Sequence, residues 1–171
     1  MSESPDTPAH PGLGRRQRLQ WETLVAIGIC EQLIGTRANQ LLGPDLSLTP
    51  FSVLNHFVRL RQTETVTDLA RAFQVPQPGM TKTVQKLLAN GWLAAREDPA
   101  DARRKLLDLT DAGIAAHGAA LARLGPDAER VFADWSDDEI DDLRARLFRL
   151  KVWLDNNRHN IALPDSGDAE S

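Results

Sequence analysis

Apolar side chains recur at helical spacing through residues 15–42 and stop at Gly43-Pro44. This pattern predicts one long first helix, from about Arg15 to Leu42. The main apolar positions are Leu24, Ile27, Ile34, Ala38 and Leu41, and a second strip is formed by Trp21, Val25, Ile29 and Leu33. Because a helix that is apolar on more than one side must be covered on more than one side, we expect several neighbours for it.

Two short helices, a tight turn and a longer helix are predicted next. Thr49-Pro50 indicates a helix start, with Thr49 as N-cap and Pro50 in the first helical position. Thr65 and Asp68 have the spacing of a capping box for a second helix. A third helix is predicted to begin at Pro78 and to stop at Gly91. This order is that of a helix-turn-helix.

A β-hairpin is predicted after the helix-turn-helix. Residues Trp92–Arg96 and Lys105–Thr110 have the pattern of short strands, and the intervening EDPADARR contains the turn signal Asp98-Pro99. The interpretation places the run of bases that follows this turn signal at the tip of the hairpin.

Two long helices are predicted to complete the chain. Thr110 can cap the first, which Gly125-Pro126 should kink or break before it resumes to Trp135. Ser136 and Glu139 have capping-box spacing for the last helix. Its apolar positions step by threes and fours, the seam pattern of paired helices: Ile140, Leu143, Leu147, Leu150 and Leu154.

The composition fits one soluble domain or one subunit of an intertwined assembly. The chain has 171 residues, is 42% hydrophobic and contains a single cysteine, Cys30, which excludes an intramolecular disulfide and a zinc ribbon. No apolar run reaches the roughly 20 residues that span a bilayer, and no signal peptide is recognised, so we expect no membrane association and a cytoplasmic location. Residues 1–14 and 159–171 are expected to be disordered tails.

The charge is distributed unevenly along the chain, although the net charge is only −4. Residues 1–58 carry net −1, residues 59–105 net +4 and residues 106–171 net −7. Charges separated by more than a Debye length of about 8–10 Å are screened, so a local basic patch decides phosphate binding more than the total does. The basic segment coincides with the predicted helix-turn-helix and hairpin.

The third helix of this segment has one apolar and one polar face. The polar face, with its two lysines, amides and hydroxyls, suits a DNA major groove, in which amides and hydroxyls address bases and lysines address phosphates. A solvated face without a ligand is the alternative, since amphipathic helices are common. The candidate DNA-binding residues on this helix are Gln77, Pro78, Gly79, Thr81, Lys82, Gln85 and Lys86.

The hairpin adds Arg103, Arg104 and Lys105 to the candidate DNA-binding residues. An arginine at its tip can enter the minor groove, where narrow A·T tracts concentrate negative potential. Asp101 is expected to hold Arg103 through a charged hydrogen bond. The alternative is an exposed ion pair that contributes little.

The chain resembles the multiple-antibiotic-resistance regulator (MarR) family of winged-helix transcription factors over roughly residues 15–157. LTPFSVLNHFVRL is similar to the second helix of that family, TVTDLARAFQVPQPGMTKTVQKLLANGWL to its helix-turn-helix, and DPADARRKLLDLTDAG to its wing. The resemblance implies a mainly α fold with a small β-hairpin wing. It implies a winged helix-turn-helix over residues 46–110 and a helical dimerisation domain over residues 15–45 and 111–158.

In function, the resemblance implies a homodimeric regulator, more often a repressor, that binds double-stranded DNA at a pseudo-palindromic operator. Arg103 would enter the minor groove with Asp101 as its support. The helix begins Gln77-Pro78-Gly79 where many members have serines and threonines, so no base sequence is predicted. The implied dimer interface comprises Trp21, Leu24, Ile140, Leu143, Leu147, Leu150 and Leu154.

A small, commonly aromatic effector is also implied, bound between the dimerisation domain and the winged helix. Ordinary core packing is the alternative for these side chains, because aromatic residues are usually buried. The candidate pocket residues are Trp21, Ile29, Phe51, His56 and Phe57.

The sequence supports other functions less well than a DNA-binding regulator. Peroxide-sensing relatives use a first-helix cysteine supported by tyrosines, but this chain has no tyrosine, so we expect Cys30 to be a buried, inert thiol, with a redox role as the alternative. The four histidines are scattered, so no metal site or cofactor is predicted. The sequence contains neither a phosphate-binding loop nor a nucleophile elbow, so no enzyme is predicted. A winged helix used for protein contacts stays an alternative.

Overall fold

The computed structural model describes residues 12–44 and 46–158. Over these residues the chain is mainly helical, with a two-stranded antiparallel hairpin, which confirms the predicted fold class. The predicted tails fall mostly on residues 1–11 and 159–171, which lie outside the described residues. The elements are α1 (Arg15–Leu42), α2 (Leu48–Leu60), α3 (Val66–Phe73), α4 (Gln77–Ala89), β1 (Leu93–Asp98), β2 (Asp101–Leu109), α5 (Asp111–Val131) and α6 (Asp137–Asn156).

The first helix has the bounds that its apolar periodicity predicts. Gly14 precedes it, and the Gly14 N–H donates to Gln17 Oε1 at 3.1 Å. Gly43 follows it with φ of 79°, a left-handed backbone that other residues rarely adopt. Within α1, only Ala38 and Leu42 are buried in the described chain, so the helix meets the core only near its end.

The second helix begins two residues earlier than predicted. Ser47 occupies the cap position in place of Thr49, and Pro50 lies inside the first turn. The reason lies in α1: Asn39 Oδ1 accepts the Leu48 N–H at 2.7 Å, which satisfies a donor that a helix start otherwise leaves free.

The helix-turn-helix forms as predicted around a shared core. Thr65 caps α3 through the Asp68 N–H, and the Asp68 carboxylate accepts the Thr65 N–H in return. Helix α4 starts at Gln77, one residue before the predicted Pro78, and Gly91 follows its end with φ of 69°. The largest buried side chains of this core are Phe57, Leu42, Leu54, Leu69, Met80, Leu87, Leu107 and Val53.

The hairpin is longer than predicted, and its turn is shorter. Residue pairs run from Leu93 opposite Leu109 to Asp98 opposite Asp101, with an irregularity after Glu97. The turn itself is only residues 99–100, where the Ala100 N–H donates to Asp98 Oδ1 at 2.9 Å. Cross-strand pairing of charged residues therefore extends the ladder into the segment that composition alone marks as a loop.

Of the kink or break predicted at Gly125-Pro126, the break is wrong, because the fifth helix is continuous through Pro126. Its predicted extension to Trp135 is also wrong, because the helix ends at Val131. The Ser136–Glu139 capping box of α6 is confirmed. By its internal contacts the chain divides into one compact unit that ends at Pro126 and a second that begins at Asp127.

The hairpin meets the start of α5 at a junction of unusually close approach. The Thr110 hydroxyl donates toward the carbonyls of Gly91 (2.7 Å) and Trp92 (3.1 Å), and it accepts the Gly113 N–H at 3.0 Å. A Cβ on Gly113 would lie 2.2 Å from the Trp92 carbonyl oxygen and 2.8 Å from Leu109 Cδ1. Only glycine fits there without moving the backbone.

We predict that Gly113→Ala lowers the free energy of unfolding by about 1–3 kcal/mol, the usual cost of overpacking. Gly118→Ala is the matched control, since its Cβ meets nothing within 4 Å and it should gain up to about 1 kcal/mol of helix propensity. Urea denaturation of both variants measures the difference. Equal stability of the two would contradict the described junction.

Candidate nucleic-acid interface

Helix α4 presents a polar, solvent-facing surface opposite its buried side. Met80, Val84 and Leu87 are buried and fix the rotation of the helix. That rotation leaves exposed Gln77, Pro78, Gly79, Lys82 and Gln85, and we call this surface the α4 face. A Cβ at Gly79 would meet nothing within 4 Å, so the first turn is open to a partner.

Two of the predicted contact residues on α4 already have partners in the fold. The Thr81 hydroxyl donates to the Gln77 carbonyl one turn earlier, at 2.9 Å. The Lys86 ammonium donates to the Pro44 carbonyl at 2.8 Å, so it is engaged with the chain just after α1. Lys82 has no ionic or hydrogen-bond partner among the described side chains.

The basic residues of the wing, which we define as β1, β2 and their turn, are mostly paired. Arg96 Nε lies 2.8 Å from Asp108, and Lys105 Nζ lies 3.0 Å from Glu97 across the strands. Arg104 lies between Asp98 (3.8 Å) and Asp68 of α3 (3.9 Å). The guanidinium of Arg103 has no such partner in the part of the chain that the structure describes.

Two expectations about the wing are corrected. Arg103 and Arg104 lie within β2 rather than at the tip, because the strand begins at Asp101, and Lys105 lies in this strand as predicted. Asp101 accepts the backbone N–H of Arg103 at 3.0 Å and does not hold its guanidinium. The carboxylate therefore shapes the start of the strand and leaves the arginine side chain unrestrained.

Asp68 is a charged centre that links α3 to the wing. Its carboxylate accepts from the Thr65 hydroxyl at 2.6 Å and lies 3.2 Å from Arg71 and 3.9 Å from Arg104. The Thr65 hydroxyl is the main cause that lowers the pKa of Asp68, and the two arginines add to it.

Asp108 has the corresponding role at the base of the wing. The Thr63 hydroxyl and Arg96 both donate to it, and the hydrogen bond from Thr63 is the main cause of its lowered pKa. Beside it, Glu64 and Leu107 exchange backbone hydrogen bonds of 3.3 and 2.8 Å. The linker between α2 and α3 is thereby joined to β2.

The structure does not bring the candidate pocket residues together around one cavity. Trp21 and Ile29 are about half exposed on α1, and Phe57 is buried. Phe51 stacks on His117 of α5 with ring centroids 5.4 Å apart, and His56 Nε2 lies 2.7 Å from the buried Glu64 carboxylate. Phe51 and His56 thus serve internal packing, which was the alternative.

A cavity of about 360 Å³ lies instead at the end of α2. Of the candidate residues, only Phe57 lines it. Sequence periodicity could not indicate this cavity, because its polar residues come from a linker and a strand end and Arg61 has a left-handed backbone, with φ of 50°. Its lining residues are Phe57, Val58, Arg61, Gln62, Thr63, Asp108, Leu109 and Ile114.

Cys30 is exposed in the described chain, which corrects the expectation of a buried thiol. It lies on the part of α1 that the core of its own chain does not cover. Within the described residues, no three His, Cys, Asp or Glu side chains form a group that could hold a metal ion. None of the described helices is both long enough and apolar enough to cross a membrane.

Comparison with known proteins identifies the class of this site. The sequence model of the MarR family matches residues 45–104, which contain the helix-turn-helix and most of the wing. Over these residues the chain matches the MarR family in sequence, which confirms the resemblance seen in its winged helix-turn-helix. No curated protein sequence matches it.

Solved structures extend the likeness in fold to about four fifths of the chain. Apo MarR from E.coli is 22% identical and covers 82% of this chain and 98% of its own, with a TM-score of 0.63. BldR from Sulfolobus solfataricus is 21% identical and covers 80% and 99%, with a TM-score of 0.67. A mutant E.coli MarR complexed with operator DNA is 21% identical and covers 76% and 96%, with a TM-score of 0.58.

We predict that Thr65→Val raises the pKa of Asp68, and raises it more than Arg104→Ala does, because the Thr65 hydroxyl is the larger cause of its lowering. A folded pKa below the unfolded one means that the stabilisation is present at neutral pH and is lost as the pH falls through the lowered value. Thr65→Val should therefore lose less stability on acidification. NMR titration of the Asp68 carboxyl measures the shift, and an unchanged pKa would contradict the assignment.

Proposed function

We propose that this chain is a sequence-specific DNA-binding transcriptional regulator that acts as a homodimer on a pseudo-palindromic operator. The observation that carries the proposal is that some cations of this site are paired within the fold and others are not. Arg96, Arg104 and Lys105 are paired within the wing, whereas Arg103 on the wing and Lys82 on α4 are left for an external partner. Two unpaired cations on the two elements that touch DNA in a winged helix favour phosphate contact.

In the proposed complex, α4 enters the major groove and the wing follows the adjacent minor groove. Gln77 and Gln85 offer amides that can pair with base edges, and Lys82 addresses a phosphate. Arg103 enters the minor groove, where its guanidinium is attracted by the negative potential. The structure of MarR from E.coli with operator DNA supports this use of the fold.

The proposed dimer is supported by large apolar side chains that the chain leaves exposed. On α1 these include Leu24, Ile29 and Leu33, with exposures of 49%, 51% and 61%. On α6, Leu147, Leu154 and their neighbours Phe148 and Trp153 are also exposed. Surfaces of this kind mark association sites, and the proposed dimerisation domain of residues 15–45 and 111–158 contains both helices.

We propose that the regulator is a repressor released by a small effector, and that the cavity at the end of α2 receives it. Its volume of about 360 Å³ is in the range of small-molecule sites. Leu109 and Ile114 offer an apolar surface for an aromatic ring, and Arg61 offers a cation. Binding there would relieve repression if it favours a dimer whose α4 helices do not match successive major grooves.

The decisive experiment is a selection of genomic fragments by the purified protein, followed by sequencing and salt-dependent binding assays. A regulator enriches a few pseudo-palindromic sites, and its affinity falls steeply with salt as counterions are released. A winged helix used for protein contacts enriches none. That outcome would overturn the proposal.

We predict that Arg103→Ala weakens binding to the selected site by about 5- to 160-fold, since a specific DNA contact contributes about 1–3 kcal/mol. Lys105→Ala is the matched control on the same strand, because Lys105 is paired with Glu97 and should matter less. A mobility-shift titration at fixed salt measures both. Equal losses, or none for Arg103→Ala, would contradict the role of Arg103.

We predict that Leu147→Asp converts the dimer to monomer, because a carboxylate would be buried in an apolar interface without a partner. Ala145→Asp places the same charge on α6 between Arg144 and Arg146 and should leave the dimer intact. Light scattering at several protein concentrations measures the mass. A Leu147→Asp protein that stays dimeric would refute the proposed interface.

A further inference from the structure

The short connection between α1 and α2 carries three hydrogen bonds from side chains of three different helices. Arg123 of α5 donates to the Leu42 carbonyl at 3.1 Å, and Lys86 of α4 donates to the Pro44 carbonyl at 2.8 Å. Asn39 of α1 accepts the Leu48 N–H at 2.7 Å. We call this set of contacts, made with Leu42, Pro44 and Leu48, the α1–α2 junction.

Two of these contacts satisfy backbone groups that helix ends leave without a partner, and the third holds the Pro44 carbonyl, which lies between the two helices. Leu42 is the last residue of α1, so its carbonyl lacks a helical donor, and Leu48 is the first residue of α2, so its N–H lacks a helical acceptor. Cations near the carbonyls at the C-terminal end of a helix are also favoured by the helix dipole. The junction is thus a bonded unit, and Leu42 and Leu46 anchor it in the core.

Within this unit Lys86 differs from Lys82, although both are lysines of α4. Lys82 is exposed and has no partner among the described side chains, whereas Lys86 is half-buried and its ammonium is held by a carbonyl. The two residues lie four positions apart, about one helical turn, so their side chains leave the same side of α4 but have different surroundings. The Lys82 ammonium is free for a phosphate, whereas the Lys86 ammonium already donates to the Pro44 carbonyl.

We infer that Lys86 is a positioning residue that fastens α4 to the end of α1, rather than a DNA contact. It joins the α4 face to the helix that supplies much of the exposed apolar surface. A displacement of the end of α1 is then passed to α4 through the Lys86–Pro44 bond. Lys86 therefore fixes the position of α4 and is not one of the residues that bind phosphate.

The first test measures the placement of α4 relative to α1 without DNA. Spin labels at Gln40→Cys and Gln85→Cys, both exposed, are introduced in a Cys30→Ser background, and labelled chains are diluted with unlabelled chains. We expect Lys86→Met to broaden the distance distribution, and the matched Lys82→Met to leave it as in the parent. A Lys86→Met distribution as narrow as the parent's would overturn the inference.

The second test rests on the proposed function and uses the salt dependence of binding to a selected operator. Lys82→Met should reduce the slope of log affinity against log salt by about one for each half-site, as expected for a lost phosphate contact. Lys86→Met should weaken binding several-fold at every salt concentration with an unchanged slope. It should also reduce discrimination against operators whose spacer is changed by one base pair.

An equal loss of slope in both variants would overturn the inference and make Lys86 a phosphate contact. If the parent protein binds no operator, the proposed function fails, whereas the spin-label distances still decide whether Lys86 fixes α4. The conservative Lys86→Arg variant should restore the narrow distribution, because a guanidinium also donates to a carbonyl. A Lys86→Arg distribution as broad as that of Lys86→Met would mean that donation to the Pro44 carbonyl does not position α4, and would overturn the inference.

Discussion

The structure depends on one close contact, the approach of the first turn of α5 to the base of the hairpin. Gly113 lies against the Trp92 carbonyl, and the Thr110 hydroxyl connects Gly91, Trp92 and Gly113. These few residues join the end of α4, the start of β1, the end of β2 and the start of α5. The position of the wing relative to α4 is therefore set by backbone groups and one short hydroxyl side chain rather than by long surface side chains. A rigid base of this kind is what a two-element DNA contact requires.

The order and type of the elements could be predicted from sequence because they rest on local signals. Apolar periodicity gave the bounds of α1, and the capping boxes at Thr65 and Ser136 placed the starts of α3 and α6. The predicted helix and strand bounds are wrong where a residue distant in sequence determines where an element begins. Asn39 lies nine residues before Leu48 and moves the start of α2, and cross-strand pairing extends β2 to Asp101. No single-segment pattern contains that information.

The candidate site was predictable in its elements but not in the use of each side chain. Polar residues on α4 and bases on the wing follow from composition and spacing. Some cations are paired within the fold, and their partners, such as Asp68, Pro44 and Glu97, come near them only when the chain folds. The partners of the candidate pocket residues could not be predicted for the same reason, since Phe51 stacks on His117 and His56 lies beside Glu64. Exposed Cys30 reflects a helix that the core of one chain covers only at its end.

Pro126 has a mechanical consequence. It lies inside α5 and supplies no N–H, so the Ala122 carbonyl, four residues earlier, lacks its usual helical donor. The two compact units of the chain divide at this same residue. Bending of α5 therefore costs least at this turn, because a hydrogen bond that resists bending elsewhere is missing here. The turn of α5 around Pro126 is therefore held by one backbone hydrogen bond fewer than the same turn of a helix without proline.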